Sequence, residues 1–485
     1  MTTTPTSTSP ATDVPVSANR IGGRSVPHTR TAPLLDPATL EVIALVPRST
    51  SSDVDDAVTA ARSASAGWAA TAPQERSRVL LRWAELLLQH REELAALATS
   101  EMGKLLKESR GEVDRAVSEI QFMSGEALRL NGETFPSATP GTLIYTTRVP
   151  VGTVAAITPW NFPIVAPVRK IAPALAAGNT VIVKPAAESP LSTLRLVDLL
   201  EEAGLPAGAV NVVCGSGSEV GAALVAHPGI DAITFTGSTQ VGRTIAEAAG
   251  RRLVPAQLEL GGKNAVYVDI SGDLDRAVPE IVSASIQATG QRCTAISRVI
   301  AHEAIADELV LRLAAAYDEL LIGSGREAVD VGPLVSEKAR DDVAAHVKVA
   351  VEEGARTATF RRDAPEGAYL APVVLDGVTP TMAIARDEVF GPVLSVLRVA
   401  GHEEAIEVAN ASEYGLAAAA FAGDIRVANE FAQNVRVGMI HINHGTSSQA
   451  HVPFGGVGAS GLGPYSIGHS VQEFFTQVKA VYVKS

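Results

Sequence analysis

Apolar residues fall at helical spacing through the first quarter of the chain. Residues 53–64 carry that spacing behind Ser52, which stands in the cap position. Residues 74–99 place Val79, Leu80, Trp83, Leu86, Leu87, Leu94 and Leu97 on one broad stripe and predict a single long helix. A more polar helix is expected over 105–130, ending near Asn131-Gly132. The pattern changes at 142–149. There Leu143, Ile144 and Tyr145 mix with Thr and Arg, as in an edge strand or arm.

From residue 152 short apolar runs alternate with helical stretches. Strands are expected at 152–158, 180–183, 209–213 and 231–235, and helices at 163–177, 191–203, 219–226 and 240–248. Such alternation means a parallel sheet covered on both faces, doubly wound, with its ligand at the carboxyl ends of the strands. A second mixed α/β region begins near Gly261. Its helix 274–288 runs into Gly290-Gln291-Arg292-Cys293, followed by strand 297–301, helix 305–321 and further elements up to Asn443. A last strand, 474–483, carries Val478, Val481 and Val483 among polar neighbours, and an unpaired edge of that kind seeks a partner subunit.

A chain of 485 residues exceeds one simple core, so two or three domains are expected. Hydrophobic residues at 46% against 19% charged exclude a disordered class. The net charge of -13 argues against nucleic-acid and anionic-membrane binding, since phosphates need clustered cations. Only Cys214 and Cys293 are present, which suits a reducing compartment without a disulfide framework. No apolar run is long enough to span a bilayer. Residues 1–19 are Thr/Ser/Pro-rich, lack Lys and Arg before position 20, and read as an unstructured tail rather than a signal peptide; a cytoplasmic protein is expected. His441, His444 and His451 do not form a metal-ligand pattern, so no metal is expected.

Three residues could carry chemistry. Cys293 follows a Gly-Gln turn, and Arg292 beside it would favour the nucleophilic thiolate; a buried, inert cysteine is the alternative. Glu259 alternates with Leu258 and Leu260 before a double glycine. Desolvation there would raise its pKa into the range of a general base, whereas a solvent-facing strand position would leave it idle. Asn161, after an apolar strand, could donate to an oxyanion or merely shape a turn between prolines. The stretch from Gly237 to Thr244 has P-loop spacing but Arg243 in place of the lysine; its strand-to-helix turn still suits a cofactor phosphate. Gly215 to Gly221 is one residue off the dinucleotide fingerprint.

Seven stretches, in order, make the chain resemble the aldehyde dehydrogenase superfamily from about Ile21 to Val483. They are Thr158-Pro-Trp-Asn-Phe-Pro163, Val183-Lys-Pro185, Phe235-Thr-Gly-Ser-Thr239, Leu258-Glu-Leu-Gly-Gly-Lys263, Gly290-Gln-Arg-Cys293, Glu388-Val-Phe-Gly-Pro392 and Pro453-Phe-Gly-Gly456. The resemblance implies an α/β fold with a Rossmann-type cofactor domain (20–130 and 150–260), an α/β catalytic domain (261–455) and a β oligomerisation arm (131–149 and 471–485). Homodimers or homotetramers are implied with it. So is NAD(P)-dependent oxidation of an aldehyde to a carboxylic acid through a thiohemiacetal and a thioester on Cys293. Asn161 and the Cys293 backbone N–H would form the oxyanion hole, and Glu259 would activate water. Thr158, Pro159, Trp160, Lys184, Gly237, Ser238, Gly261, Glu388 and Phe390 would bind the cofactor, with Lys184 on the adenosine ribose and Glu388 on the nicotinamide ribose. Arg169 and Phe162 would line the substrate pocket, Arg169 gripping a substrate carboxylate. The expected substrate is an acidic semialdehyde or an aromatic aldehyde. Ala187 replaces the glutamate that NAD-preferring members place three residues after the ribose lysine, so NADP is acceptable as well as NAD. A CoA-acylating dehydrogenase and a non-catalytic binding relative are the competing readings; Glu259 disfavours the first, and the presence of Cys293, Glu259 and Asn161 the second.

Overall fold

The computed structural model describes residues 14–361 and 363–484. Its first sheet has eight strands in the order Arg24–Val26, Asn19–Ile21, Val210–Val212, Thr180–Lys184, Thr153–Ile157, Ala232–Thr236, Ala256–Glu259 and Gly461–Leu462. The five central strands are parallel, and the outer ones pair antiparallel. Alternate residues feed two cores. Val154, Ala156, Val181 and Val183 face one helical layer, while Ala155, Ile157 and Ile182 face the other. Strand order reverses between Thr153–Ile157 and Ala232–Thr236, so the loops beginning at Thr158 and Gly237 leave the sheet side by side at its switch point.

The second sheet orders Arg356–Thr357, Val373–Asp376, Val393–Val399, Ile296–His302, Asn264–Val268, Ala417–Phe421 and Met439–Ile442, all parallel except the first pair. It too is covered on both sides, with Val266 and Val268 in one core and Ala265 and Tyr267 in the other. The C-terminal strand Thr476–Lys484 pairs antiparallel along the whole of Thr142–Pro150, which carries Thr134–Phe135 on its other edge. Among the described residues no helix is long and apolar enough to cross a membrane.

Several boundaries differ from expectation. The stripe over 74–99 belongs to two helices, Pro73–Gln89 and Arg91–Met102, broken at His90 (φ -101°, ψ 20°). Both pack into one core, so the apolar period runs across the break unmarked. Helix Leu274–Ile286 stops short of 288 because Ala288 and Thr289 are left-handed. The Gly217–Gly221 turn is π-helical and passes into Ala222–Ala226. Asn19, assigned to the tail, opens a strand and is fully buried; its side chain donates to Ser49 Oγ (2.8 Å) and accepts from the Cys214 N–H (2.9 Å). Residues 1–13 of that tail lie outside the described residues.

Candidate active site

A cavity of about 1840 Å³ opens where the loops of the two large sheets meet, and every site residue nominated above lines it. Cys293 reaches it from a constrained turn. Three consecutive residues have positive φ, Ala288 (51°), Thr289 (59°) and Gly290 (72°), a conformation disfavoured for the two with side chains. The turn is pinned. Glu108 accepts from the Ala288 N–H (3.0 Å), Thr289 Oγ1 donates to the Gly332 carbonyl (3.1 Å), and the Gln291 amide donates to Ala288 and accepts from the Val335 N–H. Asn264 Nδ2 holds the Cys293 carbonyl at 2.7 Å. The cysteine is half-buried beside Leu416, Met439 and Phe454.

Burial pushes the Cys293 thiol up to about 11, with Arg169 and then Arg292 pulling it back. Arg292 thus favours the thiolate, and Arg169 does so more strongly. Desolvation outweighs both charges. Arg292 donates to Gln287 Oε1 and to Thr294 Oγ1 (3.0 Å). Cys214 is buried and pushed up to about 12, as an inert thiol should be.

Asn161 lies buried in the loop after Thr153–Ile157. Its Nδ2 donates to the Gln291 carbonyl at 2.8 Å, which ties the amide to the cysteine turn and leaves its second N–H for a ligand. An ion pair that sequence reasoning missed lies beneath this loop. Lys104 and Glu112 are in contact with side chains 1% and 0% exposed. Lys104 also donates to the Asn161 carbonyl (3.3 Å) and sits 4.6 Å over the Phe162 ring. The other oxygen of Glu112 accepts from the Ile164 and Val165 N–H groups, both at 2.8 Å, at the start of helix Val165–Ala176. Neither residue sits in a pattern that marks it, because burial here comes from packing between distant segments.

Glu259 is 6% exposed at the end of its strand. Oε1 accepts from the Ser466 N–H (3.2 Å), and Oε2 is buried with no partner among the described residues. Burial raises the pKa of Glu259, and the charge of Lys170 draws it back; burial lowers Lys170 in turn. Lys170 donates to Thr234 Oγ1 at 3.0 Å. Nothing in the sequence pointed to Lys170 or to Ser466.

The residues expected to bind the cofactor line the other part of the cavity. Ser238 caps helix Thr239–Arg252, whose N-terminus opens there. A Cβ on Gly237 would lie 2.4 Å from the Phe235 ring. Lys184 is buried with its ammonium on the Pro185 carbonyl (2.6 Å). Glu388 accepts from the Gly262 N–H (2.9 Å), lies where a Cβ on Gly261 would strike it, and is pushed by burial up to about 7. Phe390 has φ 56° and meets Trp160 edge-on at 5.5 Å. Thr158 and Pro159 continue this wall. Arg169 is less free than expected. Its Nε and Nη2 donate to Glu119 at 2.9–3.1 Å, and its guanidinium lies 4.6 Å over Phe454.

Comparison with known sequences decides what this arrangement is. The profile of the aldehyde dehydrogenase family matches residues 25–481. The chain belongs to the aldehyde dehydrogenase family. It is 39% identical to the alpha-ketoglutaric semialdehyde dehydrogenase of Bacillus subtilis, over 92% of each chain. It is 41% identical to the 2,5-dioxopentanoate dehydrogenase of Saccharolobus solfataricus, over 91% of this chain and 93% of that one. The solved structure of an NADP dependent enzyme of E. coli superposes with a TM-score of 0.94 at 33% identity, covering 97% and 99% of the two chains. This aldehyde dehydrogenase accordingly oxidises aldehydes with NAD(P), and its fold is the family's.

Proposed function

We propose that this enzyme oxidises an acidic semialdehyde to the dicarboxylate, with Cys293 as nucleophile, Asn161 and the Cys293 N–H as oxyanion donors and Glu259 as the base that activates water. The observation that carries the reading is the meeting in one cavity of a thiol, an amide N–H left for a ligand, a buried carboxylate oxygen without a partner, and the guanidiniums of Arg169 and Arg292. The thiolate forms the C–S bond, and the two donors stabilise the resulting alkoxide. Collapse of that alkoxide to the thioester breaks the C–H bond, and the hydride would pass to a bound NAD(P); Glu259 Oε2 then takes a proton from the water that cleaves the thioester, and its raised pKa suits that work near neutrality. The two relatives named for ketoglutaric semialdehyde and dioxopentanoate favour an acidic substrate over an aromatic one.

The cavity fits a dinucleotide. It offers a helix N-terminus at Ser238, a buried lysine at 184 and glycines at 217, 221 and 237 where a backbone can approach closely. Lys184, Ser238 and Glu388 would hold it, and a bound nicotinamide supplies the hydride acceptor. Ala187 and Glu188 line the region next to Lys184. Without a carboxylate at 187 a ribose 2'-phosphate meets less repulsion, so NADP is accepted. The strands 142–150 and 476–484 serve as an oligomerisation arm, with Val478 and Tyr482 exposed along the outer strand.

An aldehyde panel read by NAD(P)H absorbance tests this. Ketoglutaric and succinic semialdehydes should exceed benzaldehyde in kcat/KM, and NADP should support turnover. A preference for benzaldehyde would overturn the substrate reading, and a strong NAD preference the cofactor reading. Stimulation by CoA would point instead to acyl transfer.

A further inference from the structure

Arg169 does not account for all the positive charge of the substrate end. Arg115, one turn before Glu119 on helix Leu106–Glu126, lines the same cavity. Its Nε donates to Glu119 Oε1 at 2.7 Å, its Nη1 to the Ser448 carbonyl at 2.5 Å and its Nη2 to Ser448 Oγ at 3.2 Å. Glu119, 1% exposed, also takes the fork of Arg169. One buried carboxylate thus serves two guanidiniums, and the trio carries one positive charge in excess. Arg292 lines the cavity too, but its charge is faced by Glu108, and its hydrogen bonds go to the neutral acceptors of Gln287, Thr294 and Thr446.

A guanidinium has five N–H donors. Among the described residues Arg115 directs three of them to protein acceptors and Arg169 two, its Nε and one on Nη2. Both side chains are partly exposed, at 21% and 16%, beside a cavity that both line. Neither can turn freely to solvent. Ser448 anchors one and the Phe454 ring covers the other.

We infer that Arg115 is a specificity-determining residue: with Arg169 it forms a two-guanidinium seat for the carboxylate at the far end of the substrate, and Glu119 holds the two forks in place. The inference rests on the acidic-semialdehyde reading and adds a second recognition group to it. The excess of one charge matches a single carboxylate, and planar forks suit its two oxygens.

The test measures kcat/KM for succinic semialdehyde and for butanal, a neutral aldehyde of the same length, in wild type, Arg115→Met and Arg115→Lys. Inhibition by succinate is followed alongside. Arg115→Met should lose about tenfold to a hundredfold on the acidic substrate, mainly through KM, and change little on butanal. Arg115→Lys should recover part of the loss, and succinate should inhibit wild type more strongly than Arg115→Met. Equal losses on both aldehydes would show that Arg115 only ties its helix to the Ser448 loop, and an undiminished acidic preference would likewise overturn the inference. Should Arg115→Met not fold, Arg115→Lys and succinate inhibition of wild type decide: full acidic activity with lysine, or no succinate inhibition, counts against the seat. A wild type that prefers butanal overturns the underlying substrate reading instead.

Discussion

Replacing Gly290 by alanine tests whether the nucleophile depends on a backbone that only glycine tolerates. Gly290 has φ +72°, and a Cβ there would lie 2.3 Å from the Gly391 carbonyl oxygen, 2.5 Å from its carbon and 3.0 Å from the Pro392 nitrogen. The left-handed conformation alone costs a non-glycine residue about 1–2 kcal/mol. Overpacking against another backbone adds about 1–3 kcal/mol. The neighbours offer little relief, because Ala288 and Thr289 are already left-handed and are held by Glu108 and Gly332. The turn must move, and Cys293 moves with it. A displacement near 1 Å in a reacting group lowers turnover by on the order of a hundredfold. Steady-state kinetics should show kcat falling steeply while KM for the cofactor holds, and denaturant unfolding should show a loss of about 2–5 kcal/mol. Gly250→Ala is the control. It lies in helix Thr239–Arg252 with nothing within 4 Å of the new methyl, so a slight gain in stability is expected. A Gly290→Ala enzyme as stable and as fast as wild type would refute the account of the turn.

Lys104→Met removes one partner of the buried pair beneath Asn161 and should cost about 3–5 kcal/mol in denaturant unfolding, because the Glu112 charge is left uncompensated; a loss below about 1 kcal/mol would contradict the burial. Glu101 caps the start of helix Pro190–Glu202 through the Leu191 and Ser192 N–H groups, and burial pushes it up to about 7. Since that lies above the ordinary carboxylate value, the folded state binds the proton more tightly than the unfolded one. Its contribution to stability therefore falls as pH rises from about 4.5 through about 7. Glu101→Gln should flatten that slope in unfolding measurements, and an unchanged slope would count against it. In the cofactor-free enzyme, alkylation of Cys293 by iodoacetamide should rise about tenfold per pH unit towards pH 11 and slow further in Arg169→Met. A rate that levels off below pH 9 would show that the arginines outweigh burial.

The alternation of apolar strands and helices revealed the first sheet, because its strands are buried on both faces and each is bounded by turn residues. The sequence did not mark the break at His90, where two helices share one core, or the end of the helix at Ile286, where Ala288 and Thr289, just past Gln287, adopt a conformation their types disfavour. The same division holds in the site. Cys293, Glu259 and Asn161 lie in short stretches whose local chemistry is suggestive, and the fold brings all three to one cavity. Lys104, Glu112, Glu119 and Lys170 could not be read, because what makes them consequential is burial by segments distant in the chain.

That burial has a direction. Burial pushes Cys293 and Glu259 both towards their neutral forms, and Lys170 towards its own. Burial disfavours the charge on each, and Glu388 and then Glu259 add to it at Cys293, so a protonated thiol is the lower in energy. Arg169 is the charge that most opposes this at Cys293, yet it is shared with Glu119, which cancels part of its field. A substrate carboxylate seated on the arginines would cancel more and raise the thiol further. An acidic substrate therefore cannot activate the nucleophile through its own charge. The thiolate has to be formed before the carboxylate arrives or be held by groups on the cofactor side of the cysteine. Ordered addition with cofactor first is the expected outcome. In product-inhibition kinetics NAD(P)H should be competitive against NAD(P) alone, and a random order of addition would contradict the electrostatic argument.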